Sequence, residues 1–315
     1  MKVMVTGGAG FIGSHVADAL VRAGDRVIVV DDLSTGFRAN LNPGAEFIEC
    51  DIRDPRAADL VREERPDAIC HHAAQMSVPR SLKEPMLDVD VNVRASLQLA
   101  LEAAETGARF LFASTGGALY GDADVLPTPE SYPAWPVSPY GAGKLAFEHY
   151  LHALRLSLGL DYVVLRYGNV FGPRQNPHGE AGVVAIFCRA LVSGSYCAIT
   201  GDGRQTRDYI YVDDVVAACL AALRGAPSGS HYNVGTGRQT SVNEIFELIV
   251  DALGSTAKPV HVAARPGEQK TSALDSRRIS TELGWRPRAS LRDGLLATAQ
   301  WFRAEAGQEA HLTPA

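Results

Sequence analysis

The chain has 315 residues, a length that suggests one large domain or two unequal parts. It is 46% apolar and 21% charged, a composition typical of a globular protein. Its formal net charge of −6 and its lack of long basic runs argue against nucleic acid as a partner. No apolar stretch reaches about 18 residues, no signal-peptide pattern is visible, and the five cysteines form no C-x-x-C pair. We therefore expect a cytoplasmic protein with reduced thiols, no membrane span and no metal site.

Short β-rich runs alternate with helical segments over roughly the first 170 residues. The strands are predicted at KVMVTG, RVIVVDD, EFIECD, DAICHHAA, RFLFAST and DYVVLRYG. Ala- and Leu-rich segments between them, such as SLQLALEAAETG and KLAFEHYLHALRLSLG, have helical periodicity. The alternation predicts an α/β fold built from βαβ units, with a parallel sheet covered on both faces.

The pattern loosens in the second half of the chain. Gly, Pro and charged residues become frequent in PRQNPHGEAG and GDGRQTRD, with short helices between, and the last part is helical in RISTELGW and LRDGLLATAQWFRAEA. We therefore predict two parts, residues 1–170 and residues 171–315, between which the chain is able to cross back.

A glycine-rich motif joins the first strand to the first helix. Gly7, Gly10 and Gly13 give GGAGFIG a spacing that lets the backbone approach a pyrophosphate at a helix N-terminus. Asp31 ends the next strand, where a carboxylate accepts hydrogen bonds from an adenosine ribose and repels a 2′-phosphate. The motif therefore predicts a dinucleotide site that prefers NAD to NADP. Asp51, after the third strand, is placed to meet the adenine, with helix capping as its alternative role.

The segment SPYGAGK has the ending of a P-loop without its spacing, since a P-loop needs glycine at position 138 and Ser or Thr at position 145. Ser138 and Pro139 instead suit the start of a helix. Tyr140 and Lys144 then lie one turn apart on the same helix face. Because a nearby ammonium favours the phenolate, we expect Lys144 to lower the pKa of Tyr140, and also to be able to hold a ribose.

Five motifs taken together resemble those of a known family: TGGAGFIGSH, STGGALYG, SPYGAGK, RYGNVFGPRQ and GDGRQTRDYIYVDDVV. From residue 1 to about residue 305, the chain is similar to the extended short-chain dehydrogenase/reductase superfamily, and most of all to its NAD-dependent nucleotide-sugar epimerases, the UDP-glucose (UDP-galactose) 4-epimerases. The resemblance implies a Rossmann domain with a doubly wound parallel sheet that carries NAD. It also implies a smaller C-terminal α/β part that closes over a UDP-sugar. The family is usually homodimeric, through helices near residues 88–105 and 140–157.

The resemblance implies that Tyr140 is the general base and acid at the sugar 4-hydroxyl and that Lys144 binds the nicotinamide ribose. The third member of the family's catalytic set is a Ser or Thr some 25 residues before the tyrosine, which points to Thr115. Because STGGALYG departs from the family's S-S-x-x-x-Y-G spacing, Ser114 competes for this role. Either hydroxyl is alternatively a turn residue bonded to the backbone.

The same resemblance implies further contacts around both ligands. Cofactor contacts are expected at Phe11, Ile12, Asp32, Ser34, Thr35, Gly36, Ile52, Ala73, Ala74, Gln75, Asn92, Ser114 and Tyr167, in addition to the glycines and acids named above. Substrate contacts are expected at Thr115, Asn169, Val183, Gln205, Arg207, Arg265, Glu268 and Ser272. The arginines match residues that grip the diphosphate, and Glu268 matches the acid that holds the uridine ribose.

The turn after the fifth strand separates two reactions of the superfamily. Dehydratases carry an acid pair there, in S-T-D-E-V-Y-G, whereas this chain has Gly116, Gly117 and Ala118, so no carboxylate acts at that place. We expect oxidation at C4 of the sugar and its reversal, which is epimerisation. A dehydratase or reductase of the superfamily is an alternative. The rival from another class is a non-catalytic NAD sensor, but such proteins tend to lose the tyrosine or the lysine.

The expected sugars are UDP-glucose and UDP-galactose. Ser272, four residues after Glu268, matches a position that gates the C2 substituent, and its small side chain suggests room for the N-acetyl group of UDP-GlcNAc or UDP-GalNAc. UDP-glucuronic acid stays open as an alternative, because Thr115 and Arg174 are candidates to meet a carboxylate.

Overall fold

A seven-stranded parallel sheet forms the centre of the computed structural model, which describes residues 1–177, 182–264 and 269–312. The strands of the described residues are β1 (Lys2–Thr6), β2 (Arg26–Asp31), β3 (Glu46–Glu49), β4 (Ala68–His71), β5 (Arg109–Thr115), β6 (Tyr162–Tyr167), β7 (Asn169–Phe171), β8 (Ala198–Thr200), β9 (Thr206–Arg207), β10 (Tyr209–Tyr211), β11 (Ser230–Val234), β12 (Thr240–Ser241) and β13 (Val260–Val262). The order along the large sheet is β11-β6-β5-β4-β1-β2-β3. Strands β1 to β6 have the Rossmann order, which confirms the predicted fold class and all six predicted strands.

Helices cover both faces of this sheet. The helices of the described residues are α1 (Phe11–Arg22), α2 (Pro55–Glu64), α3 (Val78–Lys83), α4 (Pro85–Val89), α5 (Ser96–Thr106), α6 (Pro139–Leu158), α7 (Val183–Val192), α8 (Val212–Gly225), α9 (Val242–Leu253), α10 (Arg277–Leu283) and α11 (Leu291–Leu312), with a 3-10 turn at Arg38–Asn40 and a π-helical turn at Asp90–Ala95. In the described part of the chain, no helix combines the length and apolarity that a membrane span needs.

The large sheet is buried between two apolar layers because its strands are apolar on both faces. Val3 and Val5 of β1 pack with α1 and α8, whereas Met4 between them packs with α2, α5 and α6. Near-continuous apolar runs such as VMV and VIVV are therefore a consequence of burial on both sides.

The C-terminal part has its own apolar cluster, formed mainly by α7, α9 and α11. The chain also returns to the large sheet, since β11 pairs with β6 and α8 packs on the same face as α1. A sequence boundary at residue 170 therefore separates strands that belong to one sheet. The division into residues 1–170 and 171–315 remains a prediction.

The strand order reverses between β1 and β4, and the chain approaches itself most closely at this switch point. Gly7 has φ +69°, and a Cβ placed on it would lie 2.6 Å from the backbone nitrogen of Ala73. A Cβ on Gly13 would overlap the carbonyl oxygen of Gly7. Glycine is required at both positions, and the loop after β1 therefore presents bare backbone to the crevice where α/β proteins bind ligands.

We expect Gly13→Ala to lower the free energy of unfolding by about 1–3 kcal/mol, because the added methyl group would overlap the backbone carbonyl of Gly7. The matched control is Gly225→Ala at the end of α8, where the nearest atom to the new Cβ is Leu283 Cδ2 at 3.8 Å. Urea denaturation of both variants measures the difference. Equal stability of the two variants would contradict the close packing of this loop.

Candidate active site

The glycine-rich loop leaves the N-terminus of α1 open toward the switch point. Gly10 is the N-cap residue, so no side chain bonds the first N–H groups of the helix, at Phe11 and Ile12. Gly36 closes the other side of the loop, where a Cβ would lie 2.8 Å from the carbonyl carbon of Ala9. Uncapped N–H groups and a backbone-lined crevice fit the pyrophosphate of a dinucleotide.

Asp31 connects this loop to the end of β2. Its carboxylate is 7% exposed and accepts hydrogen bonds from the backbone N–H groups of Ala9 (2.9 Å) and Leu33 (2.8 Å). Burial raises the pKa of Asp31, and these two hydrogen bonds oppose the rise. The next acid, Asp32, accepts a hydrogen bond from the Ser34 N–H at 3.0 Å. Asp32 and Thr35 are both exposed. Asp31 therefore orders the loop at the position predicted for the adenosine ribose.

Asp51 makes a local ion pair. Its carboxylate accepts from the guanidinium Nε of Arg53 at 2.9 Å, and this hydrogen bond lowers the pKa of Asp51. The alternative role of Asp51 as a helix cap is wrong, because Asp54 caps α2 by accepting from the Arg56 N–H at 2.9 Å. The neighbouring Ile52 is 6% exposed and packs in the apolar layer beneath the sheet.

Helix α6 begins as its sequence predicts, and it buries Lys144 against β5. Ser138 is the N-cap and accepts from the Gly141 N–H at 3.2 Å. The Lys144 ammonium donates to the carbonyl oxygen of Ala113 at 2.9 Å and lies 4.7 Å from the ring centroid of Phe112. Burial lowers the pKa of Lys144 to about 8, although nearby carboxylates oppose this effect.

Tyr140 differs from the expectation in one respect. Burial raises the pKa of its phenol, and the carboxylate of Asp88 raises it further. The predicted lowering by Lys144 is therefore wrong as the net effect, because the lysine ammonium is directed at Ala113 and Phe112 of β5. Desolvation without a close positive charge favours the neutral phenol.

Ser114 and Thr115 end β5 with opposite surroundings. The Ser114 hydroxyl donates to Glu148 at 2.6 Å, and Glu148 forms a buried ion pair with Arg166 at 2.6 Å. Ser114 is thus bound into a network behind the site. Thr115 is partly exposed, and its Oγ1 accepts from the Ala118 N–H at 3.1 Å, which leaves its hydroxyl hydrogen able to donate. The geometry therefore favours Thr115 as the hydroxyl that meets a ligand.

The turn after Thr115 exposes backbone and an amide. A Cβ on Gly116 would overlap the side chain of Leu274, and one on Gly117 would lie 3.5 Å from Asn169 Oδ1. The side chain of Asn169 therefore faces this turn, beside Thr115. A side chain at Gly116 would therefore have to displace Leu274, whereas a Cβ at Gly117 would make an ordinary van der Waals contact with Asn169.

The loop after β4 contains a polar cluster that sequence reasoning identified only in part. The Gln75 N–H donates to Asn92 Oδ1 at 3.0 Å, and Asn92 Nδ2 returns a hydrogen bond to the Gln75 carbonyl at 2.8 Å. Both side-chain amides also donate to Asp88, which is 1% exposed. Asp88 was not predicted. An acid four residues before Asn92, and thus on the same helix face, was the available signal.

Tyr167, predicted to contact the cofactor, uses its hydroxyl elsewhere. The oxygen lies 3.0 Å from Cys219 Sγ and 3.2 Å from His72 Nε2, and burial raises the pKa of the phenol.

All five cysteines are buried and unpaired.

Two of the predicted substrate residues, Asn169 and Arg207, lie next to a second buried acid, Asp208, which the sequence did not single out. Its carboxylate accepts from the N–H groups of Thr236 (2.8 Å), Gly237 (3.0 Å) and Leu274 (2.9 Å), and its carbonyl accepts from Asn169 N at 2.7 Å. Asp208 therefore joins the strand that carries Arg207 to the turn region at Asn169.

Other predicted substrate residues are more dispersed. Gln205 donates its amide to Thr200 O at 3.1 Å, Val183 begins α7, and Ser272 is 5% exposed. Arg174, a candidate for meeting a carboxylate, pairs with Asp18 at 2.8 Å. Arg265 and Glu268 lie outside the described residues.

Comparison with known proteins identifies the family. Residues 3–235 match the model of the NAD dependent epimerase/dehydratase family. The chain belongs to this family. The match covers the glycine-rich loop, the Tyr140–Lys144 pair and β11, and thus the whole large sheet.

Relatives within the epimerase/dehydratase family extend over nearly the full chain. UDP-glucose 4-epimerase from Mycolicibacterium smegmatis is 44% identical and is aligned over 96% of this chain and 99% of its own length. The solved UDP-glucose 4-epimerase of Thermotoga maritima, with UDP-glucose, has a TM-score of 0.95 at 46% identity over 97% of this chain and all of its own. The solved UDP-glucose 4-epimerase of Thermus thermophilus, in complex with NAD, has a TM-score of 0.92 at 42% identity over 96% of this chain and 99% of its own.

NAD is the cofactor of this family, and the crevice of this chain fits it. The glycine-rich loop would hold the pyrophosphate, and the Asp31 carboxylate at the end of β2 would disfavour a ribose 2′-phosphate.

We expect Asp31→Asn to reduce the preference for NAD over NADP by about tenfold or more, because it removes the charge that repels the 2′-phosphate. Asparagine keeps one acceptor oxygen for the loop N–H groups. Calorimetric titration with each cofactor measures both dissociation constants. The control is Asp59→Asn, a surface acid of α2 paired with Arg62. An unchanged ratio in Asp31→Asn would contradict the assignment.

Proposed function

We propose that the protein is an NAD-dependent 4-epimerase of UDP-hexoses, which interconverts UDP-glucose and UDP-galactose through a transient 4-keto sugar. The observation that supports this most strongly is the arrangement at the end of β5. Tyr140 and Lys144 share one face of α6, the partly exposed Thr115 hydroxyl ends the strand, and the turn beyond it has glycines where a dehydratase has acids. The relatives named UDP-glucose 4-epimerase support the same activity across nearly the whole chain.

In the proposed mechanism, Tyr140 accepts the proton of the sugar 4-hydroxyl and later returns it. Bound NAD would supply a reversible hydride acceptor for C4, so the reaction would involve no net oxidation. The Lys144 ammonium would bind the cofactor ribose and, once turned from Ala113 toward the phenol, would stabilise the phenolate, while the Thr115 hydroxyl would orient the 4-hydroxyl. Because burial opposes ionisation of Tyr140, positive charge next to the phenol is a requirement of this mechanism.

The substrate is proposed to lie between the β5 turn and the C-terminal part. Asn169 and Arg207 would meet the diphosphate, joined through Asp208. Val183, Gln205, Arg265 and Glu268 remain proposed contacts from the family resemblance. The small, buried Ser272 favours acceptance of a C2 N-acetyl group.

The alternative reactions receive less support. Gly116 and Gly117 stand where a dehydratase has its acid pair, and a side chain at position 116 would displace Leu274. Arg174 already pairs with Asp18, so a carboxylated sugar would have to compete with that ion pair, which argues against UDP-glucuronic acid.

We expect purified protein with catalytic NAD to convert UDP-glucose to UDP-galactose and UDP-GlcNAc to UDP-GalNAc. NMR of the reaction mixtures measures both conversions. UDP-glucuronic acid serves as the comparison. Tyr140→Phe should lower kcat by about 10²–10⁴-fold, because it removes the proton acceptor while leaving the ring in place. NAD binding should persist in this variant. Inactivity of the unaltered protein on all three sugars would contradict the proposal and would favour an NAD sensor.

Substitution should distinguish the roles of the Ser114 and Thr115 hydroxyls at the end of β5. Thr115→Val should reduce kcat far more than Ser114→Ala does, because only Thr115 has a hydroxyl that is free to meet the sugar. Ser114→Ala should instead lower the free energy of unfolding by about 1–3 kcal/mol, since it removes a donor to the buried Glu148. Steady-state kinetics and urea denaturation of both variants measure these effects. The reverse pattern would assign the catalytic role to Ser114.

We propose that the protein is a cytoplasmic homodimer formed through the helices near residues 88–105 and 140–157. These helices expose large apolar side chains, among them Leu101 (39%) and Tyr150 (45%), and Leu156 is 70% exposed. Apolar residues on adjacent helices suit a self-complementary interface.

We expect the double variant Leu101→Glu/Tyr150→Glu to sediment as a monomer, because charges on that surface are costly to bury. The matched control is Tyr196→Glu, at a residue that is 74% exposed outside these helices. Analytical ultracentrifugation measures the mass. A dimer that persists in the double variant, or a monomer in the unaltered protein, would contradict the proposed interface.

A further inference from the structure

Asp88 is a buried acid beside α6 that takes no part in the proposed proton and hydride transfers. It lies on α4 and is 1% exposed. Its Oδ1 accepts from Gln75 Nε2 at 2.9 Å and from Asn92 Nδ2 at 3.0 Å. Its Oδ2 is also buried, but has no hydrogen-bond partner among the described residues. A buried, half-satisfied carboxylate is costly, so its position calls for a physical explanation.

The unpartnered oxygen faces α6 between the two catalytic residues. A Cβ placed on Gly143 would lie 2.9 Å from Asp88 Oδ2, so the glycine is what allows the carboxylate to approach the helix. Gly143 is three residues after Tyr140 and one before Lys144. The carboxylate thus lies next to the helix segment that holds both groups.

The charged and titratable groups around Lys144 are few. Asp88 faces it from α4 and Glu148 from its own helix, and both carboxylates raise the pKa of Lys144 against the effect of burial. His71 and His72, at the end of β4, are buried, and burial lowers the pKa of each ring, so both are neutral near pH 7. Glu148 is already bound by Arg166, whereas Asp88 receives only neutral amides. Asp88 is therefore the carboxylate whose charge is least compensated.

We propose that Asp88 is a positioning residue of the active site, whose carboxylate fixes the Gln75 and Asn92 amides and keeps the ammonium of Lys144 protonated. The inference rests on the proposed function for its kinetic consequence only. The same charge opposes ionisation of Tyr140, so Asp88 sets the pH range in which the lysine is charged and the tyrosine is able to give up its proton.

The test is Asp88→Asn, which keeps an acceptor oxygen for Gln75 and Asn92 and removes the charge. The matched control is Asp90→Asn, because Asp90 is two residues away but pairs with Arg94 on the surface. NMR titration of the Lys144 side-chain amine in the full chain, assigned with Lys144→Met, measures its pKa directly. We expect Asp88→Asn to lower this pKa by about half a unit or more, and Asp90→Asn to leave it unchanged. An unchanged Lys144 pKa in Asp88→Asn would overturn the proposal.

The kinetic readout is the pH profile of kcat with UDP-glucose. Loss of the Asp88 charge should move both limbs of the profile to lower pH, whereas a merely structural role would lower the plateau without moving the limbs. Inactivity of the unaltered protein at every pH would overturn the proposed function, while the NMR titration would still decide the role of Asp88. If Asp88→Asn fails to fold, carbon-13 NMR of the Asp88 carboxyl in the unaltered chain decides instead. A carboxylate ionised at pH 7 is expected, and a protonated carboxyl would overturn the proposal.

Discussion

The buried ion pair between Glu148 and Arg166 attaches the catalytic helix to the sheet, and the active site depends on it. Glu148 is on α6, one turn beyond Lys144, while Arg166 is on β6, and both side chains are less than one-tenth exposed. Arg166 also donates to the Tyr120 hydroxyl at 2.7 Å, and Tyr120 donates to Asn233 at 2.9 Å on β11. Breaking a buried pair of this kind typically costs about 3–5 kcal/mol. The network thus fixes α6, β5, β6 and β11 relative to one another.

This attachment explains how two adjacent hydroxyls acquire different roles. Successive side chains of a strand point to opposite faces. Ser114 at the end of β5 therefore turns to Glu148, while Thr115 turns to the crevice. The same strand supplies the Ala113 carbonyl that holds the Lys144 ammonium. Burial lowers the pKa of Lys144 from 10.5 to about 8, so the folded chain holds this proton less tightly than the unfolded chain does. Charged Lys144 therefore opposes folding at neutral pH, and this effect fades as pH rises from about 8 toward 10.5.

Local sequence predicted most of the fold and the centre of the site. Each of the six predicted strands is present, and Ser138 begins α6 as expected, because apolar periodicity and capping act over a few residues. The addition of β11 to the sheet was not predicted, since its pairing with β6 joins segments far apart in the chain. Long-range contacts also explain the missed residues. Asp88 and Asp208 become recognisable as buried acids only when the elements around them have packed. The pKa of Tyr140 rises where a fall was expected, because helical spacing gives no information about desolvation.

The most direct test of transient oxidation at C4 uses UDP-glucose deuterated at C4, with unlabelled NAD and protein in ordinary water. Hydride that leaves C4 and returns to the other face should carry the deuterium with it, so the UDP-galactose that forms should retain the label at C4. NMR of the product and absorbance of NADH follow both quantities in one reaction. Retained label without accumulated NADH is the predicted result. Loss of the label to water, or NADH formed in proportion to product, would contradict transient oxidation at C4 as the function of this site.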